Sequence, residues 1–514
     1  MAQENRISSN KRIAKNTIAL YIRMIVQMVI GLYTSRVILN ALGVNDFGIY
    51  NVVGSVVGML NFVNTTMSNA TMRFITFEEG KGNLHKLNTV FCTSMNIHIV
   101  IAILTFLLLN SLGLWFLYNK MVIDPTRMNA AFWVLQCSLL STAVMVISIP
   151  YNALIISHEK MSAFAYISIL EVTLKLLLVF TLLVLPADKL ICYAIFLLCV
   201  QVLLQFIYSI YSRRHFEESK YQRVWDKKTT KEMTKFAGWT LNGNIAWVGY
   251  TQGLNVLMNM FCGTAVNAAR GIAFTVQQKI IDFCNNFQVA VDPQITKTYS
   301  VEEYDKMHNL IIMSSKFSFY LMLVLSLPIF VEIDEILRLW LKIVPEHTAN
   351  FVRLILCCSV IDIFRNPMNT SIHATGDIKV FQIWEATTLL LIVPLAYLAL
   401  KLGYPAESVF VVQLIVFIIV QAERIFIVCP RIKMKKILYV RRLLLPSVKV
   451  LFTALIVPVS LIIVWPIQPD NYIQLLTYLV LIAISTSSVV YFVGLAQNEK
   501  EKVKLIVKNK IGRK

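Results

Sequence analysis

The chain has 514 residues, of which 57% are hydrophobic, and it carries a formal net charge of +19. Its mean hydropathy of +0.65 excludes an ordinary soluble globular protein and favours a membrane protein. The surplus of cations would suit a nucleic-acid-binding protein, but these cations follow the loops between apolar segments, which argues against a nucleic-acid partner.

Apolar runs of about 20 residues recur along the whole chain, and each could cross the ~30 Å hydrocarbon core of a bilayer as a helix. Fourteen such runs, here numbered spans 1 to 14, follow one another with short connections. They cover residues 14–40, 46–72, 88–117, 128–156, 162–185, 190–212, 233–261, 264–292, 309–332, 348–372, 378–400, 405–429, 444–466 and 470–495. The sequence therefore predicts an all-α integral membrane protein with about 14 transmembrane helices.

Lysine and arginine are divided unevenly between alternate connecting segments. With the N-terminus taken as cytoplasmic, the inner segments carry 31 of these residues and the outer segments carry 6. This bias follows the positive-inside rule and predicts a multi-pass protein with both termini in the cytoplasm. The first run lacks the short apolar core and cleavage site of a signal peptide, so we expect it to remain as the first span.

The nine cysteines and seven histidines show no spacing typical of a metal site or a disulfide framework. Cys357 and Cys358 are merely adjacent. We therefore expect no metal and no cofactor.

Two parts of the chain resemble each other, which indicates an internal duplication. Pro150 and Asn152 correspond to Pro367 and Asn369, and each pair is followed by a Glu-x-Thr motif, at Glu171 and at Glu385. The alternative is chance similarity between leucine-rich helices. The duplication predicts an N-terminal lobe (1–212), a basic cytoplasmic linker (213–232), a C-terminal lobe (233–429), two extra helices (430–495) and a basic cytoplasmic tail (496–514), with the two six-helix lobes related by pseudo-symmetry.

Spans 1, 2, 7 and 8 carry polar residues at helical spacing, which is costly in lipid unless the stripes face protein or water. The alternatives are hydrogen bonding between helices and a water-filled cleft between the two halves; a buried arginine favours the cleft. The predicted cavity residues are Arg23, Gln27, Asn61, Asn244, Trp247, Arg270, Gln277 and Asn285.

Other charged residues are spaced to pair along a helix. Glu171 and Lys175 are four apart, while Lys279 with Asp282 and Asp362 with Arg365 are three apart. Such pairs are either structural or part of a site that couples transport to an ion. The candidates for ion coupling are Glu171, Lys175, Asp282, Asp362 and Glu385.

Three motifs resemble a known family. "LGVNDFGIY" (Leu42–Tyr50), "ATG" (Ala374–Gly376) and "EILRLWL" (Glu335–Leu341) are similar to motifs of polysaccharide exporters, the Wzx-type lipid-linked oligosaccharide (O-antigen) flippases of the MOP superfamily, which are relatives of the MATE drug exporters. The resemblance implies a MATE-like fold with two lobes around a cavity. It also implies a location in the bacterial inner membrane, where the protein moves an undecaprenyl-pyrophosphate-linked oligosaccharide from the cytoplasmic to the periplasmic leaflet for O-antigen or capsule biosynthesis.

The implied substrate carries an anionic pyrophosphate, for which the planar guanidinium of arginine is a suitable partner. We expect Arg23 and Arg270 to contact it, with alternating access driven by membrane potential or by a Na⁺ or H⁺ gradient, because the sequence contains no nucleotide-binding phosphate loop. Membrane lipids and other polysaccharide-assembly proteins are the expected partners. The alternatives are a MATE-type multidrug or cation antiporter and a membrane glycan polymerase or ligase; a transporter rather than an enzyme is favoured.

Overall fold

The computed structural model describes residues 16–31, 33–34, 37–38, 41–43, 46, 49–50, 53–54, 61–119, 123–341, 344–464, 472–497 and 499–501. Within these ranges the chain is almost entirely helical, and it contains no β-strand. The helices in chain order are α1 (Asn16–Gly31), α2 (Asn61–Lys81), α3 (Leu84–Asn119), α4 (Met128–Ser157), α5 (Met161–Val184), α6 (Lys189–His215), α7 (Lys227–Ser300), α8 (Tyr304–Trp340), α9 (Thr348–Asp362), α10 (Arg365–Thr375), α11 (Lys379–Leu390), α12 (Ile392–Lys401), α13 (Ser408–Arg431), α14 (Lys436–Tyr439), α15 (Leu445–Val464) and α16 (Tyr472–Val489).

The helices fall where the apolar runs predict them. In the described part of the chain, nine helical segments are long and apolar enough to cross a membrane, and α1 is a shorter apolar helix. Every predicted span is helical wherever it is described, apart from short breaks such as those between α9 and α10 and between α11 and α12. The prediction of an all-α membrane protein is confirmed.

The chain divides into two compact units. The first contains Met1–Asn244 and Ala290–Glu303, and the second contains Ile245–Val289 and Tyr304–Lys514. The predicted lobes divide the chain at residues 212 and 233 instead. Both ends of α7 belong to the first unit because they bond within it: Asn244 donates to Thr66 of α2, and Lys297 donates to Glu79 at the end of α2.

The helical segment α7 runs from Lys227 to Ser300, and contacts between residues far apart along it show that it bends back on itself. The side chain of Arg270 donates to the side chain of Asn255 and, at 2.9 Å, to the carbonyl oxygen of Thr251. In a straight helix 15 residues span ~22 Å, so these contacts require a hairpin between Asn255 and Arg270. Spans 7 and 8 are therefore the two arms of one continuous helical segment.

Two local features explain where other helices bend or end. Gly376, the glycine of the "ATG" motif, has a φ of 79° and closes α10 with a hydrogen bond from its N–H to the carbonyl of His373. Glycine adopts this left-handed conformation without a Cβ penalty. The helix α8 is bent at Glu332, whose φ and ψ are non-helical, shortly after Pro328.

Each unit has its own apolar core. In the first unit α4 packs on α2, α3 and α6, and its buried Val134 and Leu135 join Leu109, Leu117 and Leu190 in one cluster. In the second unit α13 packs on α9, α11 and α12, while α8 packs on α16. These packed helices fix the polar side chains described next.

Candidate functional site

In the first unit, Arg23 and Gln27 lie one turn apart on α1, as the polar stripe predicts, and both are partly buried. The Arg23 guanidinium lies 4.8 Å from the centre of the Phe164 ring on α5, in a cation–π contact. Tyr208 of α6 interacts electrostatically with both Arg23 and Glu171. A cation, a phenol and an acid from three helices therefore share one region.

The predicted pair between Glu171 and Lys175 is formed. The Lys175 ammonium lies 2.6 Å from the Glu171 carboxylate, and both side chains are partly exposed. The charge of Glu171 is thus balanced on its own helix. Its counterpart in the predicted duplication is Glu385. The charge of Glu385 is balanced by a residue of a different helix.

Asn244 forms a hydrogen bond within the first unit. Its amide donates to the Thr66 hydroxyl at 2.7 Å, joining α7 to α2. Asn61, the first residue of α2, has a side chain outside the described part of the structure. The residue of span 2 that Asn244 contacts, Thr66, is buried.

In the second unit, Arg270 is 4% exposed and is bonded inside the α7 hairpin. Its guanidinium donates to Asn255 and to the Thr251 carbonyl, and it lies 4.3 Å from the centre of the Phe274 ring. A buried arginine with these partners holds the two arms of the hairpin together.

Trp247 lies beside a second arginine, which the sequence paired only with Asp362. The Arg365 guanidinium lies 4.0 Å from the Trp247 ring centre and 3.7 Å from the Asp362 carboxylate. Tyr250 and Phe417 pack against the indole at centroid distances of 5.1 and 6.4 Å. The partly exposed indole is thus held by aromatic and cationic neighbours.

The polar residues of the second arm of α7 differ in their surroundings. Gln277 is buried and donates to the Ser359 hydroxyl of α9 at 2.6 Å, whereas Asn285 is exposed. Asp282 accepts a hydrogen bond from Gln278 at 2.8 Å. The predicted pair between Lys279 and Asp282 is not among the described ion pairs.

Arg424 of α13 connects two of the predicted acids. Its guanidinium lies 2.6 Å from Glu385 of α11 and 3.5 Å from Asp362 of α9, and its side chain is 2% exposed. Asp362 also pairs with Arg365. Nearby, Thr388 donates to Glu423 at 2.7 Å. Arg424 is not among the residues predicted from the sequence, although an adjacent Glu-Arg pair inside the apolar α13 is a signal for buried charge.

A second group of charges, which we call the acidic loop cluster, lies at one end of the first unit. It consists of Glu79, His158, Glu159, Glu218 and Lys297. Lys297 lies 2.8 Å from Glu79 and 3.4 Å from Glu159, and His158 lies 3.1 Å from Glu79 and also contacts Glu218. Since both ring nitrogens of His158 face carboxylates, a doubly protonated ring can donate to both.

The environment shifts the pKa values of two carboxyl groups of this cluster in opposite directions. Burial raises the pKa of Glu79 above its ordinary value, despite the nearby Lys297 and His158. Burial also acts to raise the pKa of Glu218, but the hydrogen bond from His158, a backbone hydrogen bond and the charge of His158 together outweigh burial, so this pKa lies below the ordinary value. The cluster was missed because its members are separated by up to 218 positions in the sequence.

A third ionic contact joins residues from three separate parts of the first unit. The Arg127 Nε donates to Asp46, in the "LGVNDFGIY" motif, at 2.9 Å, and its Nη1 lies 2.6 Å from the Asp188 carboxylate. Asp188 also caps α6 by accepting from the backbone N–H of Leu190 and Ile191. The "LGVNDFGIY" motif therefore contributes a carboxylate to this ionic contact.

Comparison with protein families decides the identity of this helical chain. The family model described as polysaccharide biosynthesis protein matches residues 13–281, which is more than half of the chain. The chain belongs to this family. The protein is thus a membrane transporter of the polysaccharide biosynthesis family, as the three sequence motifs predict. A search of curated protein sequences finds no significant match to it.

Solved structures show that this polysaccharide biosynthesis family member has a MATE-like fold. A proline-to-alanine mutant of a MATE transporter matches with a TM-score of 0.71 at 13% identity, covering 83% of this chain and 97% of that one. An outward-facing multidrug resistance MATE transporter matches with a TM-score of 0.72 at 13% identity, covering 83% and 96%. A MOP superfamily transporter from Pyrococcus furiosus, whose binding pocket has reversed polarity, matches with a TM-score of 0.70 at 12% identity, covering 83% and 96%.

Proposed function

We propose that this transporter moves an undecaprenyl-pyrophosphate-linked oligosaccharide from the cytoplasmic to the periplasmic leaflet of the bacterial inner membrane, by alternating access. The observation that carries the proposal is the match of more than half of the chain to the polysaccharide biosynthesis family. The excess of cations in predicted inner loops supports the assumed orientation.

In this proposal Arg23 contacts the pyrophosphate. The Arg23 side chain is partly buried and its guanidinium lies over the Phe164 ring, and the planar fork of a guanidinium matches phosphate oxygens. The burial of Arg270 and its two bonded partners favour a positioning role in the α7 hairpin for this second arginine. We assign the glycan to Trp247 and the exposed Asn285, because an indole face and an amide suit a sugar ring and its hydroxyl groups.

The charge balance of the second unit favours an anionic or neutral substrate over a cationic drug. Asp362 and Glu385 both contact Arg424, and Asp362 also contacts Arg365. Two guanidinium groups thus compensate the carboxylates that a cationic ligand would need. The MATE-type multidrug antiporter remains the second candidate, since the solved relatives with this fold include a multidrug resistance transporter.

Coupling to a Na⁺ or H⁺ gradient, or to membrane potential, is part of the proposal. Among the candidate acids, Asp362 and Glu385 are joined by one guanidinium, so a cation or proton that neutralised either carboxylate would weaken the contact between α13 and its neighbours. The Glu171–Lys175 ion pair, by contrast, lies within the single helix α5.

The test uses proteoliposomes with a fluorescent prenyl-diphosphate-linked oligosaccharide and a membrane-impermeant glycosidase. The purified protein is expected to move the labelled lipid between leaflets, and Arg23→Ala is expected to slow this about tenfold or more, because a charge-assisted hydrogen bond contributes about 1.5–3 kcal/mol. Arg431→Ala is the matched control, since Arg431 is also partly exposed but contacts the exposed Asp377 outside the proposed site.

A second arm of the experiment loads the same proteoliposomes with a fluorescent organic cation. Gradient-driven cation transport without movement of the lipid-linked glycan would overturn the proposal and favour the antiporter. Elongation or ligation of the glycan in the liposomes would favour the polymerase or ligase alternative.

A further inference from the structure

A groove on the first unit is formed by α2, α3 and the first turns of α7. It has a volume of about 390 Å³, and its walls include Thr66, Ile97, Val100 and Gly238. Val100 is 44% exposed although it is apolar. At Gly238 a Cβ would meet no atom within 4 Å, so the groove is open on this side. An open apolar groove on a membrane protein suits an apolar chain.

The groove is about as long as one leaflet. On α7 it extends from Thr230 to Leu241, which corresponds to ~16 Å of helix, about half of the ~30 Å hydrocarbon core. At one end Trp225 lines the groove, next to Val224, whose carbonyl accepts from the Asn96 amide of α3 at 3.0 Å. At the other end the Thr66 hydroxyl accepts a hydrogen bond from Asn244 of α7, and this contact closes the groove.

The end near Trp225 is basic. Lys227, Thr230, Thr234, Gly238 and Leu241 are spaced by three or four residues, so Lys227 continues the wall of the groove by one helical turn. Lys227, Lys228 and Lys231 are all exposed.

The acids of this region do not cancel its positive charge. Residues 220–235 contain six lysines and arginines against two acids, Asp226 and Glu232. Asp226 is engaged by the backbone N–H groups of Lys228 and Thr229 as the cap of α7. A tryptophan beside exposed lysines is also typical of the membrane interface.

We propose that this groove binds one acyl chain of an anionic membrane phospholipid, with the lipid phosphate at Lys227 and Lys231. The apolar walls take the chain within one leaflet, Trp225 lies at the level of the headgroup, and the lysines select an anionic lipid over a zwitterionic one. A lipid in this position contacts α2, α3 and α7 together, so its binding stabilises the first turns of α7 on the first unit. The inference does not depend on which substrate the transporter carries.

The experiment measures thermal unfolding of the full-length protein in a nonionic detergent with added phosphatidylglycerol or phosphatidylcholine of identical chains. Phosphatidylglycerol is expected to raise the unfolding temperature at a concentration at least tenfold lower than phosphatidylcholine. Gly238→Leu fills the groove and is expected to abolish the response to both lipids. The double variant Lys227→Gln/Lys231→Gln is expected to lose the preference for phosphatidylglycerol and to keep a weak response to both.

Two further variants test whether the lipid response depends on the groove. Gly271→Leu is the matched substitution, since a Cβ at Gly271 also meets no atom within 4 Å but lies in the second unit, and it should leave the lipid response unchanged. Thr234→Trp, on the exposed wall, is a second groove-filling variant should Gly238→Leu fail to fold. An equal response to both lipids in the unmodified protein, or a full response in both filled variants, overturns the proposal. Displacement of phosphatidylglycerol by at least tenfold less polyprenyl diphosphate would also overturn it, because the groove would then bind the tail of the transported lipid.

Discussion

The carboxylate of Glu385 lies 2.6 Å from the guanidinium of Arg424, on a different helix, and the Arg424 side chain is only 2% exposed. Neither charge could be buried alone at low cost, since an uncompensated buried charge destabilises a protein by about 3–5 kcal/mol. The pair therefore fixes α13 against α11, and through Asp362 it also reaches α9.

The contact between Glu385 and Arg424 predicts that a second substitution restores the stability lost in the first. Glu385→Gln should destabilise the protein by about 3–5 kcal/mol because it leaves Arg424 without its main partner, whereas Glu385→Gln/Arg424→Met should recover most of that loss. Thermal unfolding in detergent, followed by tryptophan fluorescence and gel filtration, measures both variants. If the double variant is no more stable than the single one, the pair does not determine the stability of this region.

The same double variant separates structure from ion coupling. Should Glu385 belong to a coupling site, the folded double variant would still move substrate but would no longer respond to an imposed Na⁺ or H⁺ gradient. Lys175→Gln, which breaks the pair inside α5, is the comparison. A double variant with unchanged gradient dependence would exclude Glu385 from coupling.

Glu218 predicts a pH dependence of stability. A carboxyl group whose pKa is lower in the folded protein contributes stability that is present above its unfolded pKa, near 4.5, and is lost as pH falls through the folded value. Glu218→Gln should therefore be less stable than the unmodified protein at pH 7, by about 1–3 kcal/mol, and the difference should shrink as the pH falls below about 4.5.

Unfolding temperatures of both proteins between pH 4 and pH 7 test this expectation. Glu217→Gln is the control, because Glu217 is the neighbouring acid and is exposed. A difference between Glu218→Gln and the unmodified protein that stays constant across the whole range would contradict the expectation.

Gly80 predicts a steric effect. A Cβ at this position would lie 2.1 Å from the Ser300 hydroxyl and 2.9 Å from the Lys297 Cα, so Gly80→Ala must push α2 away from the end of α7. We expect a loss of about 1–3 kcal/mol in the free energy of unfolding. Ser300→Ala should relieve this only partly, since the backbone of Lys297 remains in the way.

The control for Gly80 is Gly271→Ala, also inside a helix but with no atom within 4 Å of the added Cβ. This change should stabilise the protein by about 0.5–1 kcal/mol, because alanine loses less conformational entropy than glycine on folding. Two substitutions of the same kind should thus have opposite signs. A neutral Gly80→Ala would show that the two helices do not approach this closely.

The contacts of Arg127 predict that a guanidinium at this position stabilises the protein more than a lysine ammonium would. Its several donors contact Asp46 and Asp188 at once, whereas a single ammonium cannot reproduce this planar arrangement. Arg127→Ala should lower the free energy of unfolding by about 1–2 kcal/mol, and Arg127→Lys should recover less than half of the loss. Chemical unfolding of the two variants measures this, and full recovery in Arg127→Lys would show that only charge matters.

Local patterns in the sequence predicted local structure well. Hydropathy placed the helices, and helical spacing predicted the Glu171–Lys175 and Asp362–Arg365 pairs, because such contacts depend only on one helix or its immediate continuation. The predicted Lys279–Asp282 pair is not among the described ion pairs, although the Asp282 carboxylate does accept from a residue one turn away on the same helix, Gln278.

Contacts between distant parts of the chain could not be predicted in this way. His158 contacts Glu218, and Arg424 contacts Glu385, only after the helices have packed. Hydropathy and periodicity report which face of a helix is polar, but they do not report which other helix that face will meet.

The hairpin of α7 has a consequence for how the protein is made. A helix carrying Arg270 would enter the bilayer alone at a cost of about 2.5–3.5 kcal/mol for the buried charge. Both hydrogen-bond partners of this guanidinium, Asn255 and the carbonyl of Thr251, are supplied by the arm that is synthesised immediately before it. The two arms are therefore suited to insert together as one unit, with the arginine already bonded when it leaves water.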